Sequence, residues 1–223
     1  MTAQGISARS LLRETFATTR SLYAPLLIIN SPSLIFAVLN SLDKLGSAGI
    51  AFNIIYWLVV LPLLSGAMIF YTYRSLTRNH VTVGQAFNQA NRRLLPLIGV
   101  YIMCFLLVFA GCIALIIPGL YVSYRLIFSL YDTVIDNSSV IDSLSSSWEL
   151  TKGRWWLVFR SYLLIVFVAF VPIFLIVLLI SFTGNLLASK LVGNLLGFLV
   201  GPLMNVYWVL LYLRLRESAA TIK

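Results

Sequence analysis

The sequence predicts an all-α, polytopic membrane helix bundle of about six transmembrane helices. Three observations carry that prediction. Hydrophobic residues make up 60% of the 223 positions and charged residues only 10%, against roughly 25% charged in a soluble domain. Several apolar runs reach the approximately 20 residues that cross a hydrocarbon core. The basic residues collect at one set of run ends, as the positive-inside rule requires.

The apolar runs cover 22–42, 50–73, 94–117, 119–135, 155–182 and 191–213, and each reads as one helix. The first contains Pro25, Asn30, Pro32 and Asn40; such residues persist in a membrane only where neighbours satisfy the loosened backbone. That span is expected to be kinked or partly unwound. Between the third and fourth runs, Ile116-Ile117-Pro118-Gly119 leaves almost no loop. Pro118 and Gly119 therefore predict a tight hairpin. The cytoplasmic face receives Arg9, Arg13, Arg20, Arg74, Arg78, Arg92, Arg93, Lys152, Arg154, Arg160, Arg214, Arg216 and Lys223, while Lys44 and Lys190 fall on the other. Both termini are then cytoplasmic, which an even number of crossings satisfies. The formal net charge of +9 is mostly this topology signal, so nucleic acid is not an expected partner.

Short amphipathic stretches precede the later spans. At 82–92, Thr82 and Gln85 have capping-box spacing, with Val83, Ala86, Phe87 and Ala90 on one face. At 139–152, Ser139 caps, Val140, Ile141, Leu144 and Trp148 share a face, and Gly153 ends the helix. Both predict helices lying on the cytoplasmic membrane surface. The N-terminal segment, with Leu12 and Phe16, reads as a third copy: Phe16 precedes Pro25 by nine residues, as Phe87 precedes Pro96. The chain is thus one membrane domain, 1–223, divisible into hairpin units 1–80, 81–137 and 138–223. Met1 to Arg20 lacks the apolar core and cleavage site of a secretory signal and is expected to remain. Cys104 and Cys112, eight residues apart on one helix, lie about 12 Å apart along its axis, beyond disulfide reach. They read as buried packing thiols.

The segment 117–159 contains Ile117-Pro118-Gly119-Leu120-Tyr121, Tyr124-Arg125-Leu126-Ile127-Phe128-Ser129-Leu130, Asp136, and Ser147-Trp148-Glu149-Leu150-Thr151-Lys152-Gly153-Arg154-Trp155-Trp156. It resembles the membrane-domain family of glycerophosphoryl diester phosphodiesterases. In that family a Pro-Gly hairpin, an arginine-bearing helix, an acidic residue and a Ser-Trp-Glu-Leu-Thr-(Lys/Arg)-Gly signature follow in order. The resemblance is strong from about 80 to 160 and topological elsewhere. Ser145 and Ser146 stand where basic residues are usual, and Tyr131 where proline is expected. What the resemblance implies is a fold of about six spans, often without an enzyme domain; the phosphodiesterase chemistry belongs to a separate soluble domain.

Three groups are candidate functional residues. Trp148, Trp155 and Trp156 suit the headgroup level and, with Glu149, Lys152 and Arg154, form an interfacial anchor or a partner-docking motif. Arg125, seven residues past Pro118 and so about 10 Å into the bilayer from the outer side, costs at least about 2.5 kcal/mol unless it snorkels or pairs. Asp132 is seven positions on, outside i to i+4 reach, so Asn30, Asn53 or Asn205 are the expected partners. Arg125 is then a polar site for a headgroup or ion, or a clamp between helices. Gly193, Gly197 and Gly201 repeat every four residues, a stripe that admits a close helix from the same chain, another membrane protein or a second copy.

His80 is the only histidine, no phosphate-binding glycine loop is present, and the acids are scattered. No catalytic, metal or cofactor site is expected. The expectation is a non-enzymatic accessory, scaffold or assembly protein contacting membrane lipids in a bacterial-type cytoplasmic or thylakoid membrane. The alternative is a small transporter or lipid-handling protein with its polar site at Arg125.

Overall fold

The computed structural model describes residues 8–42, 48–77, 79 and 81–220. Lys44, Ser47, Arg78, His80 and Lys223, and the side chain of Arg9, lie outside the described residues. The elements are α1 (Ala8–Ser41), α2 (Ala48–Ile55), a π-helical turn (Tyr56–Val60), α3 (Leu61–Leu76), α4 (Val83–Arg92), α5 (Leu94–Ala114), α6 (Ile116–Leu126), α7 (Ser129–Ile135), α8 (Val140–Leu150), α9 (Trp155–Ser181) and α10 (Leu186–Ala220). All described elements are helical, as expected of a membrane bundle.

Five helices are long and apolar enough to cross a membrane: Ser10–Ser41, Gly49–Leu76, Leu94–Ile113, Trp155–Ser181 and Leu186–Ala220. The fourth expected span is different. It breaks into α6 and α7, of 11 and 7 residues, each too short to cross alone. Its hydropathy is continuous, but its backbone is not, because hydroxyls from α8 accept and donate the hydrogen bonds that an unbroken helix would make internally. The hairpin between α5 and α6 also falls elsewhere. Leu115 is the extended residue, while Pro118 and Gly119 sit in the first turns of α6, where a proline's missing N–H costs nothing. Gly119 serves the packing instead. A Cβ there would lie 2.8 Å from the Cys112 backbone nitrogen, so only glycine lets α6 lie against α5.

The first span is neither unwound nor preceded by a separate surface helix. One α-helix of 34 residues runs through Pro25 and Pro32, merging the proposed third copy with the span. Proline 32 cannot donate to the Ile28 carbonyl, and the Ser31 hydroxyl does so at 2.8 Å. This is the side-chain compensation that keeps prolines tolerable in membrane helices.

The second half of α10 is the hub of the core. Val206, Tyr207, Val209, Leu211, Tyr212 and Leu215 are fully buried, surrounded by Leu26 and Ile29 of α1, Ala67 of α3, Leu97 of α5 and Val158 and Ile165 of α9. A helix apolar on every side belongs at such a centre. Away from this hub the surface is apolar: Phe105, Phe109, Ile113, Ile116 and Ile117 around the α5–α6 tip, and Phe167, Phe174 and Leu179 on α9, are all exposed. Exposed apolar surface on this scale suits hydrocarbon, not water. Cys112, expected to be buried, is exposed on this belt, whereas Cys104 lies 3.4 Å from the Ser129 hydroxyl.

Polar contacts mark the two ends of the bundle. At one end Arg214 pairs with Glu14 at 3.0 Å and Arg216 with Asp136 at 2.8 Å, while Arg154 donates to the Leu215 carbonyl. Arg93 and Gln89 of the α4–α5 corner both donate to the Asn137 side-chain oxygen. At the other end Asn53 donates to Asn40, and Asn194 to Ser41. Asn137 takes a left-handed backbone, φ 56°, a conformation asparagine accepts more readily than most residues.

Candidate functional site: a broken helix sealed by hydroxyls

The break between α6 and α7 frees backbone groups in the interior. An orphaned backbone group in a dry environment costs roughly as much as a lost hydrogen bond, so it must be met. Ser147 meets it from α8. Its hydroxyl donates to the Arg125 carbonyl at 2.8 Å and accepts from the Phe128 N–H at 3.1 Å. Thr151, one turn on, donates to the same carbonyl at 3.2 Å. One turn back, Ser143 meets the Thr133 hydroxyl at 2.7 Å. Ser143, Ser147 and Thr151, at four-residue spacing, are all fully buried.

This stripe is a second face of α8, beside the apolar one expected to meet the membrane or the bundle. Of the four apolar residues on that face only Leu144 is buried; Ile141 and Trp148 are exposed. The helix starts as expected, with the Ser139 hydroxyl accepting from the Asp142 N–H, and Gly153 adopts φ +71° in the turn that follows. Its inward face is hydroxylic because it packs on exposed backbone. The small-helix expectation for α4 holds in detail: Thr82 and Gln85 form the reciprocal capping box, and Ala86 and Ala90 are buried.

Arg125 is 3% exposed. Neither Asn30, Asn53 nor Asn205 partners it: Asn53 bonds Asn40 and Gly49, Asn205 bonds Met68 and Thr72, and Asn30 accepts from Ser33. Its guanidinium lies over two aromatic faces, 4.3 Å from the Trp148 ring centroid and 5.7 Å from that of Tyr121. Arginine is weakly hydrated and planar, so stacking on rings satisfies it where carboxylates are absent. Its Nε is buried with no hydrogen-bond partner.

Asp132, 2% exposed, belongs to a different cluster. It accepts from the Tyr212 hydroxyl at 2.6 Å. Arg216 donates to that hydroxyl at 3.0 Å and to Asp136 at 3.1 Å, so the chain Asp132–Tyr212–Arg216–Asp136 ties α7 to the end of α10. The sequence gives no local sign of Tyr212, which is 80 positions away.

The tryptophan motif divides by role. Trp148 stacks on Arg125; Trp155 and Trp156 pack on one another with centroids 5.4 Å apart, and Tyr121 reaches both Trp148 and Trp155. Glu149 and Lys152 form an exposed pair at 3.6 Å, which contributes little stability. Arg154 points away from them and donates to carbonyls of Leu215 and Ser218, capping α10. The glycine stripe is not one surface. Gly193 faces Val177 of α9, Gly201 faces Asn30 of α1, and nothing lies within 4 Å of a Cβ on Gly197.

Three cavities accompany these features. A groove of about 310 Å³ between the ends of α3 and α4 is lined by Phe70, Arg74, Gln85, Asn88 and Arg92, among others. A second, about 510 Å³ and apolar, runs along α5 beside α6 and α7; a third, about 260 Å³, lies between α1 and α2. Arg125 and Asp132 line none of the three. Among the described residues no three of His, Cys, Asp or Glu come together as metal ligands.

No curated protein and no solved structure matches the chain. The profile of the membrane domain of glycerophosphoryl diester phosphodiesterase matches residues 98–215. That match begins inside the 80–160 segment that carries the resemblance in sequence, leaving out α4, and runs well past its end, taking in α9 and most of α10. It includes every residue of the sealed break, both aromatic partners of Arg125, and the Asp132–Tyr212 contact. The chain therefore belongs to the family of the membrane domain of glycerophosphoryl diester phosphodiesterase.

Proposed function

We propose that this membrane domain works as a non-enzymatic accessory or scaffold, seated in a bacterial-type cytoplasmic or thylakoid-type membrane with its basic end and both termini toward the cytoplasm or stroma. One observation carries the reading: most polar groups inside the bundle are spent on holding the bundle together, the Arg125 Nε and one Asp132 carboxylate oxygen being buried without a hydrogen-bond partner. Ser147 and Thr151 serve the broken backbone, Tyr212 serves Asp132, and Trp148 and Tyr121 cover Arg125. A transport path needs polar groups that face a substrate. The free surface is apolar instead, at the α5–α6 tip and along the outer half of α9, which is where a helix of another membrane protein would pack.

A photo-crosslinking residue in place of Phe109 or Phe174, activated in native membranes, tests this. The scaffold reading expects a discrete protein adduct at one of these positions and none at Trp156, on the opposite end of α9. Lipid adducts alone at all three positions would reject it. The second reading, a lipid-handling protein, draws on the apolar groove along α5 beside the broken helix. Proteoliposomes that scramble or take up phospholipid, and lose this activity on narrowing the groove with Ser123→Phe, would favour it.

A further inference from the structure

We propose that the groove between α3 and α4 is a phosphate-binding site, suited to a phosphate-bearing lipid headgroup at the basic end of the bundle. The groove holds about 310 Å³ and is lined by Arg74 and Arg92 with Asn79, Gln85, Asn88 and Gln89, and by no carboxylate. Six of the seven acids lie in described segments, and each is engaged elsewhere: Glu14 and Glu217 beside Arg214, Asp132 at Tyr212, Asp136 at Arg216, Asp142 at Ser139, and Glu149 at Lys152. Two guanidinium groups thus share one concave site without an anion. Each presents a planar set of donors that matches phosphate oxygens.

The walls are shaped for such a guest. Arg74 lies over the Phe70 ring, 5.3 Å from its centroid, which holds the side chain along α3 and limits the rotamer entropy lost on binding. Asn79 closes the end of the groove, its N–H bonded to the Arg74 carbonyl at 3.0 Å. Gln85 spends its side-chain oxygen on the Thr82 N–H, leaving its NH₂ as a donor. The Asn88 side chain makes no hydrogen bond among the described residues and adds a second amide. Gln89 is anchored to Asn137, which ties this wall to the α7–α8 connection. Its position between the end of an apolar helix and an amphipathic one puts the groove where headgroups lie.

The test uses the full chain in nanodiscs of phosphatidylcholine containing a minority of phosphatidylglycerol, followed by detergent extraction at high salt and counting of retained anionic lipid by native mass spectrometry. Wild type should retain phosphatidylglycerol. Arg74→Gln and Arg92→Gln should each lower retention about fivefold, the worth of one surface cation toward an anionic lipid. Asn88→Asp, which removes no packing, should lower it as much by placing a negative charge in the groove. Arg160→Gln, the same charge change at an exposed position of α9 outside the groove, should retain lipid like wild type. A parallel titration with inorganic phosphate separates the sources: saturable binding lost in Asn88→Asp, with no lipid retained, assigns the site to a soluble phosphate compound. Equal retention in Asn88→Asp and wild type, an equal fall in Arg160→Gln, or binding of neither probe would overturn the proposal. None of these outcomes bears on the scaffold reading, whose crosslinks lie on α5 and α9.

Discussion

The Ser147 hydroxyl bridges the two ends of a broken helix, donating to the Arg125 carbonyl at 2.8 Å and accepting from the Phe128 N–H at 3.1 Å. Ser147→Ala strands the buried Phe128 N–H and leaves the Arg125 carbonyl with the Thr151 hydroxyl alone, at a cost of about 1 to 3 kcal/mol. Ser145→Ala, two positions away on the exposed side of α8, should stay within about 0.5 kcal/mol. Thermal denaturation of the two variants in one detergent measures the difference. Equal melting temperatures would mean that the break closes without Ser147.

The Asp132–Tyr212 hydrogen bond, 2.6 Å and buried, should outweigh the more exposed Arg216–Asp136 ion pair. Tyr212→Phe is expected to cost about 1.5 to 3 kcal/mol, the range for hydrogen bonds to charged groups. Asp136→Asn should cost about 1 kcal/mol or less, since that pair is open to solvent. Denaturation of both single variants and the double variant gives the ranking; the reverse order would place the α7–α10 junction on the outer pair.

Glycine positions separate close approach from mere spacing. Gly119→Ala forces a Cβ against Cys112, backbone that cannot swing aside, so the α5–α6 hairpin should be strongly destabilised. Gly197→Ala meets nothing and should be neutral within about 0.5 kcal/mol. The yield of folded protein by fluorescence size-exclusion chromatography distinguishes them. A matching loss in Gly197→Ala would indicate that this position is covered by a second copy or another chain.

These contrasts trace what the amino-acid sequence makes readable. Long apolar runs announce α1, α5, α9 and α10, because twenty apolar residues leave few soluble alternatives, and the Thr82–Gln85 spacing announces α4 because a capping box is local chemistry. The break at 127–128 is hidden, since hydropathy reads side chains and the compensation is between backbone and a hydroxyl 19 positions on. A signal does exist: Ser143, Ser147 and Thr151 repeat at helical spacing, so three small hydroxyl side chains share one face of α8, as close packing against backbone requires. Asp132 carried no comparable signal, its partner lying in the last helix. Arg125 is conspicuous as a charge in an apolar run, but its partners are ring faces, which a search for oxygens in other helices overlooks.

Arg125 and Trp148 should be energetically coupled. The guanidinium is 4.3 Å from the indole centroid and is itself 3% exposed, the desolvated setting in which a cation–π contact reaches about 2 kcal/mol. Arg125→Leu, Trp148→Leu and the double variant form a cycle whose interaction energy should be about 1 to 2 kcal/mol, with each single variant less stable than wild type. Arg125→Lys should recover only part of the loss, because a compact ammonium cannot stack on the ring as a planar guanidinium does. Additive single effects would show that Arg125 is held by something other than the ring.

Orientation in the membrane is the last prediction, and it rests on where the charges gather. Arg93, Arg154, Arg214 and Arg216 meet Asn137, the α10 carbonyls, Glu14 and Asp136 at one end of the bundle, and Lys190 begins the other end of α10. The α6–α7 pair matters to the outcome. Five crossings alone would leave the termini on opposite sides, whereas the contact of Glu14 in α1 with Arg214 in α10 requires the two terminal helix ends to share a side. A sixth crossing by the broken helix is the expected way to return the chain to that side. With Cys104 and Cys112 replaced by alanine, a cysteine at Thr183, exposed in the α9–α10 turn, should react with an impermeant maleimide added outside intact cells. One at Ser145, exposed on α8, should react only after permeabilisation. Reaction of both from outside would reject the sixth crossing, and the reverse pattern would invert the orientation while leaving the fold as described.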